Sequence, residues 1–524
     1  MDLIKNIATF INPFGTIAVL LLAVLVLLFF ANSKKNGLKT FIFIFTILAF
    51  AGAFIVNIAG FLRNGAFSDN LFTSGIAQII EISYILIISL IIFIIIFVFN
   101  RSSESFLKLA LIFLFSSSAL IFFTISRNFI AFFASLVFFL ISLFALITLI
   151  SETDVFVLKN RNITRKSSDA EYHSRAYMSI SKFFLAVLFS VLFIFFGTSL
   201  LYGVSDFKNF IQLSEGVAAF KGNLGFVFVI FGIAIYLYFG FFPFHSPYTK
   251  ITSRISPDSS YLIWFYYFLP GVIFITRLSS IIYTVNNDFK TVLVISLSLM
   301  VIVSTAGSGL AVLKTNNLRK ITANLVLLIF TGNIFNLLLY MVDYINEDTY
   351  RMLNYSGLSL LVLSFLPVSV IFTLAEKRTG YNDIKRLKTM FTGNKAVPAS
   401  FVIGCISLMG IPAFAGFSHK NHYVDIIGKA FQGGLDNLSP MLGWLIIFTA
   451  IIYIAFFTAC ILRVLISGLS GKTSTDDKSV SFSKPLLIFL YFFMLLIIIA
   501  GIFYLLGLFG ISTSVLNFSE IKLF

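Results

Sequence analysis

Charge is scarce in this sequence: Asp, Glu, Lys and Arg make up 11% of 524 residues, against 59% hydrophobic ones. A water-soluble domain cannot be surfaced with so few charges, so the chain is an integral membrane protein of many spans. Cysteine is scarcer still. Cys405 and Cys460 are the only two, and both fall inside apolar runs, which excludes a disulfide framework and a metal site of clustered Cys and His. Acidic residues number 22 against 37 basic ones, a formal net charge of +15. The basic residues are scattered through short connections between apolar runs, a pattern set by membrane topology rather than by nucleic acid. Phosphate-binding glycine loops, Walker sequences, haem-attachment patterns and Ser/His/Asp arrangements are missing as well. No cleavable-signal pattern opens the chain, and 9–31 reads as a retained first helix.

What is present is a series of about 14 apolar runs, each long enough to cross a bilayer as a helix of ~20 residues. The fold class is therefore all-α and polytopic. Basic residues concentrate in the loops after odd-numbered spans, which makes those loops cytoplasmic and puts both termini outside. The connections 151–179 and 376–395 mix both signs of charge and read as solvated cytoplasmic loops or as docking surfaces for a peripheral subunit.

One stretch fits no straight span. The run from Ala396 to about Phe431 exceeds a single crossing, and it contains Gly410-Ile411-Pro412, Gly416 and then Lys420. Proline removes a backbone donor, so a break here must lie inside protein or against a wet cavity. The other reading is a helix that ends near Gly416 with Lys420 snorkelling to the surface. Five spans earlier, Phe239-Gly240-Phe241-Phe242-Pro243-Phe244-His245 interrupts the seventh run. Two such interruptions in corresponding places are the mark of inverted repeats in ion and solute translocators. The expected division is flanking helices over 1–104, five-helix repeats over 105–285 and 286–468, and a C-terminal helix over 469–524.

The candidate residues follow from their setting. Lys420 is an ionisable group beside a break, and lysine suits a proton path because desolvation lowers its pKa from ~10.4 toward neutrality. Lys182 opens the sixth run in Ser181-Lys182-Phe183-Phe184, either as a second proton carrier or as a snorkelling residue. His245 follows Pro243 and could relay protons or pin the turn. His419 and His422 flank Lys420 and share one helical face. Glu81, near the start of the third run, is a counter-charge to a lysine or an interfacial carboxylate.

At these residues the sequence resembles the antiporter-like membrane subunits of respiratory complex I, most of all the subunit N type of bacterial NADH:quinone oxidoreductase. Gly410-Ile411-Pro412-Ala413-Phe414-Ala415-Gly416-Phe417-Ser418-His419-Lys420 is similar to that family's G-I-P-P-L-A-G-F-x-x-K. Pro243-Phe244-His245 is similar to its P-F-H-x-W, Asn317-Leu318-Arg319-Lys320-Ile321-Thr322-Ala323 to its N-[IL]-K-R-x-x-A-Y, and Lys182-Phe183-Phe184 to its K-Y-F. The resemblance implies a non-redox subunit of a proton-translocating NADH:quinone oxidoreductase in a bacterial inner membrane. Its partners would be other membrane subunits, lipid and protons, with quinone met only through the complex, no cofactor on this chain and no nucleic acid. In that setting Lys182 would pass a proton inward and Lys420 would hold and release it. The departures matter equally. The family's glutamate in the fifth helix falls on Val137 or Phe139, its lysine in the seventh on Tyr238 and its lysine in the eighth near Phe268. A subunit that has lost pumping and serves as a structural coupling element is one alternative. A subunit of a multisubunit cation/proton antiporter, which shares the fold, is the other.

Overall fold

Backbone placed in hydrocarbon must satisfy its N–H and C=O groups internally, so long apolar runs form helices. The computed structural model describes residues 2–29, 38–64, 67–68, 73–74, 76–99, 106–160, 169–202, 225–255, 257–283, 287–342, 344–379, 382–391, 394–431, 440–471 and 484–508. Eleven helices among them are long and apolar enough to cross a membrane, joined by three shorter apolar ones, Phe14–Phe29, Gly225–Phe239 and Ala396–Met409. The chain is a polytopic α-helical membrane protein. It forms two compact units, Met1–Tyr238 with Lys250–Thr284, and Phe239–Thr249 with Val285–Leu523.

The first unit holds α1 (Asp2–Phe29), α2 (Leu38–Asn64), the two-residue strands β1 (Phe67–Ser68) and β2 (Thr73–Ser74), α3 (Ile76–Phe99), α4 (Phe106–Ile125), α5 (Phe129–Asn160) and α6 (Asp169–Tyr202). The strands pair antiparallel, Phe67 opposite Ser74. Then come α7 (Gly225–Phe239), the end of α8 (Ser246–Arg254), α9 (Pro257–Tyr261), a π-helical turn over Leu262–Tyr266 and α10 (Leu269–Tyr283). The connection expected over 151–179 is mostly helix: α5 runs on to Asn160 and α6 begins at Asp169. A helix that leaves the bilayer can continue with polar residues, and hydropathy alone reads that extension as loop.

Hydroxyl groups and a cation help to knit the interior of this unit. The Tyr266 hydroxyl lies 3.0 Å from the hydroxyls of both Ser116 and Ser117, and its ring stacks on Phe113 with centroids 5.4 Å apart. Arg277 donates to the carbonyls of Thr124 and Ser126, at the C-terminal end of α4, and sits over the Phe132 ring. That placement satisfies carbonyls which have no partner within the helix and sets a positive charge at the negative end of its dipole.

The second unit holds α11 (Asn287–Lys314), α12 (Leu318–Met341), α13 (Glu347–Leu360), a π-helical turn over Leu361–Phe365, α14 (Leu366–Thr379) and a 3₁₀ helix over Ile384–Phe391. After these come α15 (Ala396–Met409), α16 (Gly416–Phe431), α17 (Pro440–Leu469) and α18 (Lys484–Leu508). The α12 span is buried on all sides, whereas α18 buries only a third of its span, although α18 is the more apolar of the two. A bundle in lipid turns its most apolar helices outward and keeps its polar groups within. At one end of α12 the Arg319 guanidinium makes two hydrogen bonds to the Glu376 carboxylate, at 2.6 and 2.7 Å, with both side chains 8% exposed. Breaking a buried pair of this kind by removing one partner costs ~3–5 kcal/mol. In the described part of the 376–395 connection, Glu376 is locked to α12, and the Ile384 N–H donates to the Asn316 carbonyl at 2.9 Å.

Candidate functional site

The twelfth apolar run is broken into two helices, as a glycine and a proline two residues apart require. α15 stops at Gly410, which takes a left-handed conformation with φ 77° and returns its N–H to the Ser407 carbonyl at 2.9 Å. Six residues later α16 starts at Gly416, whose N–H donates to the Ser407 hydroxyl at 3.0 Å. Ser407 in turn shares a hydrogen bond of 2.7 Å with Ser364, in the π-helical turn. The Ala415 N–H donates to the Ile497 carbonyl on α18 at 3.1 Å. Side chains and neighbouring backbone thus supply the partners that the break withholds.

Lys420 lies in the first turns of α16 and is 4% exposed. It does not snorkel. Its Nζ turns back on the break and donates to the Met409 carbonyl at 3.1 Å, while the Phe457 ring of α17 lies 4.1 Å away by its centroid. Among the described residues no carboxylate pairs with it. The ammonium is instead held by the negative end of the α15 dipole and by an aromatic face. Both attractions are weaker than a carboxylate's, so the charged form is supported without being locked in.

His419, one residue earlier, faces away from Lys420 and is fully buried. Its Nδ1 lies 2.9 Å from the Ser356 hydroxyl on α13, and its Nε2 lies 3.5 Å from the Tyr423 hydroxyl. Tyr423 donates to Asn336 Oδ1 on α12 at 2.8 Å, and Asn336 donates to Asn354 Oδ1 on α13 at 3.1 Å. The run Ser356, His419, Tyr423, Asn336, Asn354 is therefore a continuous buried hydrogen-bonded chain across three helices. Rings close the gap to the lysine: Tyr423 meets Tyr453 edge-on at 5.5 Å, and Tyr453 lies 5.9 Å from Phe457. Sequence reading singles out His419 but not its partners. The available signal was Asn333 and Asn336, three residues apart in an otherwise apolar run, with Tyr423 one helical turn beyond His419.

Of the remaining candidates, His422 stands close enough to His419 to act on it electrostatically. His422 is half-buried on α16. His245 is half-buried, with its Nδ1 3.3 Å from the Pro243 carbonyl and its ring stacked on Phe242 at 4.8 Å. The turn it occupies begins, like the break before α16, at a left-handed glycine, Gly240 with φ 63°. In the first unit, Glu81 is buried on α3 at 5% exposure, and Lys182 is exposed, well inside α6 rather than at its start. Among the described residues no three His, Cys, Asp or Glu side chains group as metal ligands would.

Where the resemblance expects charge in the first unit, the structure has aromatic rings. Tyr238 donates to the Tyr267 carbonyl at 2.9 Å, Tyr267 donates to the Tyr238 carbonyl at 2.5 Å, and the two rings stack with centroids 4.8 Å apart. Phe268 is fully buried beside them, and Phe139 packs edge-on to Tyr266 at 5.1 Å. Each tyrosine hydroxyl donates to a carbonyl of the other.

No protein-family model matches the sequence, and no curated protein matches it. Solved structures do. A chain of respiratory complex I from Thermus thermophilus, determined with bound aureothin, superimposes with a TM-score of 0.65 at 13% identity, covering 93% of this chain and 96% of that one. A chain of the membrane-bound sulfane sulfur reductase, an archaeal respiratory membrane complex, gives 0.65 at 16% identity, covering 93% of each. Over nearly its whole length, this multi-pass membrane protein therefore has the fold of chains from two respiratory complexes.

Proposed function

We propose that this chain is an N-type subunit in the membrane arm of a complex I-like oxidoreductase, and that it moves protons through its second unit with Lys420 as the carrier. The observation that supports this reading is Lys420 itself: a buried lysine at a helix break, held by one carbonyl and one ring. An ionisable group inside a membrane span is costly and is kept for function. With no carboxylate pairing it among the described residues, its proton can be given up without leaving an unpartnered anion behind. The chain from Ser356 to Asn354 through His419 supplies donors and acceptors next to it, on the side of α16 that faces α12 and α13.

In this reading the first unit is structural. The mutually bonded Tyr238 and Tyr267 fill the place where the resembled subunits would carry a lysine, and Lys182 stands on the exposed face of α6. Electron transfer belongs to other chains of the assembly.

Purification of the tagged chain in mild detergent, with mass spectrometry and an NADH:quinone assay on the same fraction, tests the assignment. Iron–sulfur and flavin subunits should co-purify with activity. A fraction that holds only small membrane subunits and cannot oxidise NADH would replace this reading with the cation/proton antiporter.

A further inference from the structure

At one end of the second unit a basic rib lies against an apolar stripe. The 3₁₀ helix Ile384–Phe391 buries Ile384, Leu387 and Met390 and leaves Lys385, Arg386 and Lys388 exposed. Its position is fixed on both sides. The Ile384 N–H is tied to Asn316, and Gly471, just past α17, lies so close that a methyl there would meet the Lys385 carbonyl at 2.1 Å. Arg463 braces the same end, donating to the Val312 carbonyl and to Asn316 Oδ1 at 2.6 and 2.9 Å. Among the described residues, Glu376 pairs with Arg319, and the Asp383 carboxylate accepts the Lys385 N–H at 3.0 Å. Lys314, Lys320 and Lys395 are exposed at the neighbouring helix ends.

Leading up to this rib, α17 presents Leu462, Ile466 and Leu469, which are 45%, 55% and 40% exposed. Their spacing of four and three residues puts them in one line along the helix. An apolar line that ends at a cluster of cations is complementary to a molecule with a hydrocarbon chain and an anionic head. An acidic soluble protein would match the rib but has nothing to lay along the stripe.

We propose that Lys385, Arg386 and Lys388, together with the Leu462–Leu469 face of α17, bind an anionic phospholipid, with phosphate on the rib and an acyl chain on the stripe. Juxtamembrane basic clusters attract anionic headgroups, and lysine stems can lie along apolar surface while the ammonium reaches the phosphate. Native mass spectrometry of the full-length chain, titrated with dioleoyl phosphatidylglycerol or dioleoyl phosphatidylcholine, tests this. Phosphatidylglycerol should bind the more tightly. The combined variant Lys385→Gln, Arg386→Gln, Lys388→Gln, which alters only exposed side chains, should lose at least about tenfold in that affinity. A second variant, Ile466→Asn with Leu469→Asn, should weaken phosphatidylglycerol binding with the charges intact. Equal affinity for the two lipids, or an unchanged triple variant, would overturn the proposal. Displacement of the lipid by an equal concentration of glycerol 3-phosphate would reduce the site to one for free phosphate. Tighter binding of a poly-glutamate peptide than of phosphatidylglycerol would transfer it to an acidic protein.

Discussion

Replacing Gly416 by alanine is expected to prevent the second unit from folding around its break. A methyl at this position would lie 1.9 Å from the Ser407 carbonyl oxygen and 2.8 Å from its carbon. The obstacle is the last turn of α15, and backbone cannot swing aside as a flexible side chain does. Gly416 must be this close because its N–H bonds the Ser407 hydroxyl, which brings the start of α16 directly over the end of α15. Separating the two helices would break that bond and the Lys420 bond to Met409 together. Overpacking a core usually costs ~1–3 kcal/mol, and a clash with rigid backbone belongs at or above the top of that range. Fluorescence-detected gel filtration of membrane extracts should show Gly416→Ala largely lost or aggregated. Gly428→Ala serves as the control, since Gly428 is exposed, has open space around its Cα and sits in the same helix. It should accumulate like the parent chain.

Placing a lysine at Tyr238 should also be severely destabilising, although the family that the sequence resembles has lysine there. Tyr238 is 4% exposed, stacked on Tyr267 and bonded to that residue's carbonyl. Tyr238→Lys forfeits the stacking, which is worth ~0.5–1.5 kcal/mol, and leaves the Tyr267 carbonyl without this donor. It also buries an ammonium near the end of α7, where an uncompensated charge costs several kcal/mol. Tyr238→Phe keeps the stacking and loses one hydrogen bond, for ~1 kcal/mol. Thermal unfolding in detergent should therefore rank the parent first, Tyr238→Phe slightly lower and Tyr238→Lys far below both. A Tyr238→Lys chain as stable as the parent would mean that the first unit retains an environment built for charge.

These two predictions rest on different amounts of what the sequence discloses. The break was legible because its signals are local: Gly410, Pro412 and Gly416 cannot continue a helix, and Lys420 is an obvious anomaly in an apolar run. Its setting was not. That Lys420 turns back to Met409 rather than out to the surface depends on Phe457, 37 positions away in the chain, and on α18 bonding the break through Ile497. That Tyr238 and Phe268 stand where the resembled family has lysines could be read directly, but not that Tyr238 and Tyr267 satisfy each other's carbonyls, because such reciprocity depends on how two helices pack. The connections were read least well. Neither the helical continuation of α5 and α6 nor the Arg319–Glu376 lock has a signature that separates it from a solvated, mixed-charge loop.

Whether Lys420 carries the proton is measured by proton translocation by the purified assembly in proteoliposomes, recorded by dye quenching at matched rates of electron transfer. Parent, Lys420→Gln and Lys182→Gln chains are compared in one preparation. Proton transfer through this subunit should fall by roughly 10²-fold in Lys420→Gln, the scale of losing a positioned proton carrier. Lys182→Gln, altered on an exposed face, should match the parent. An unchanged ratio of protons to electrons in Lys420→Gln would contradict the account and leave the buried lysine as a structural cap on α15.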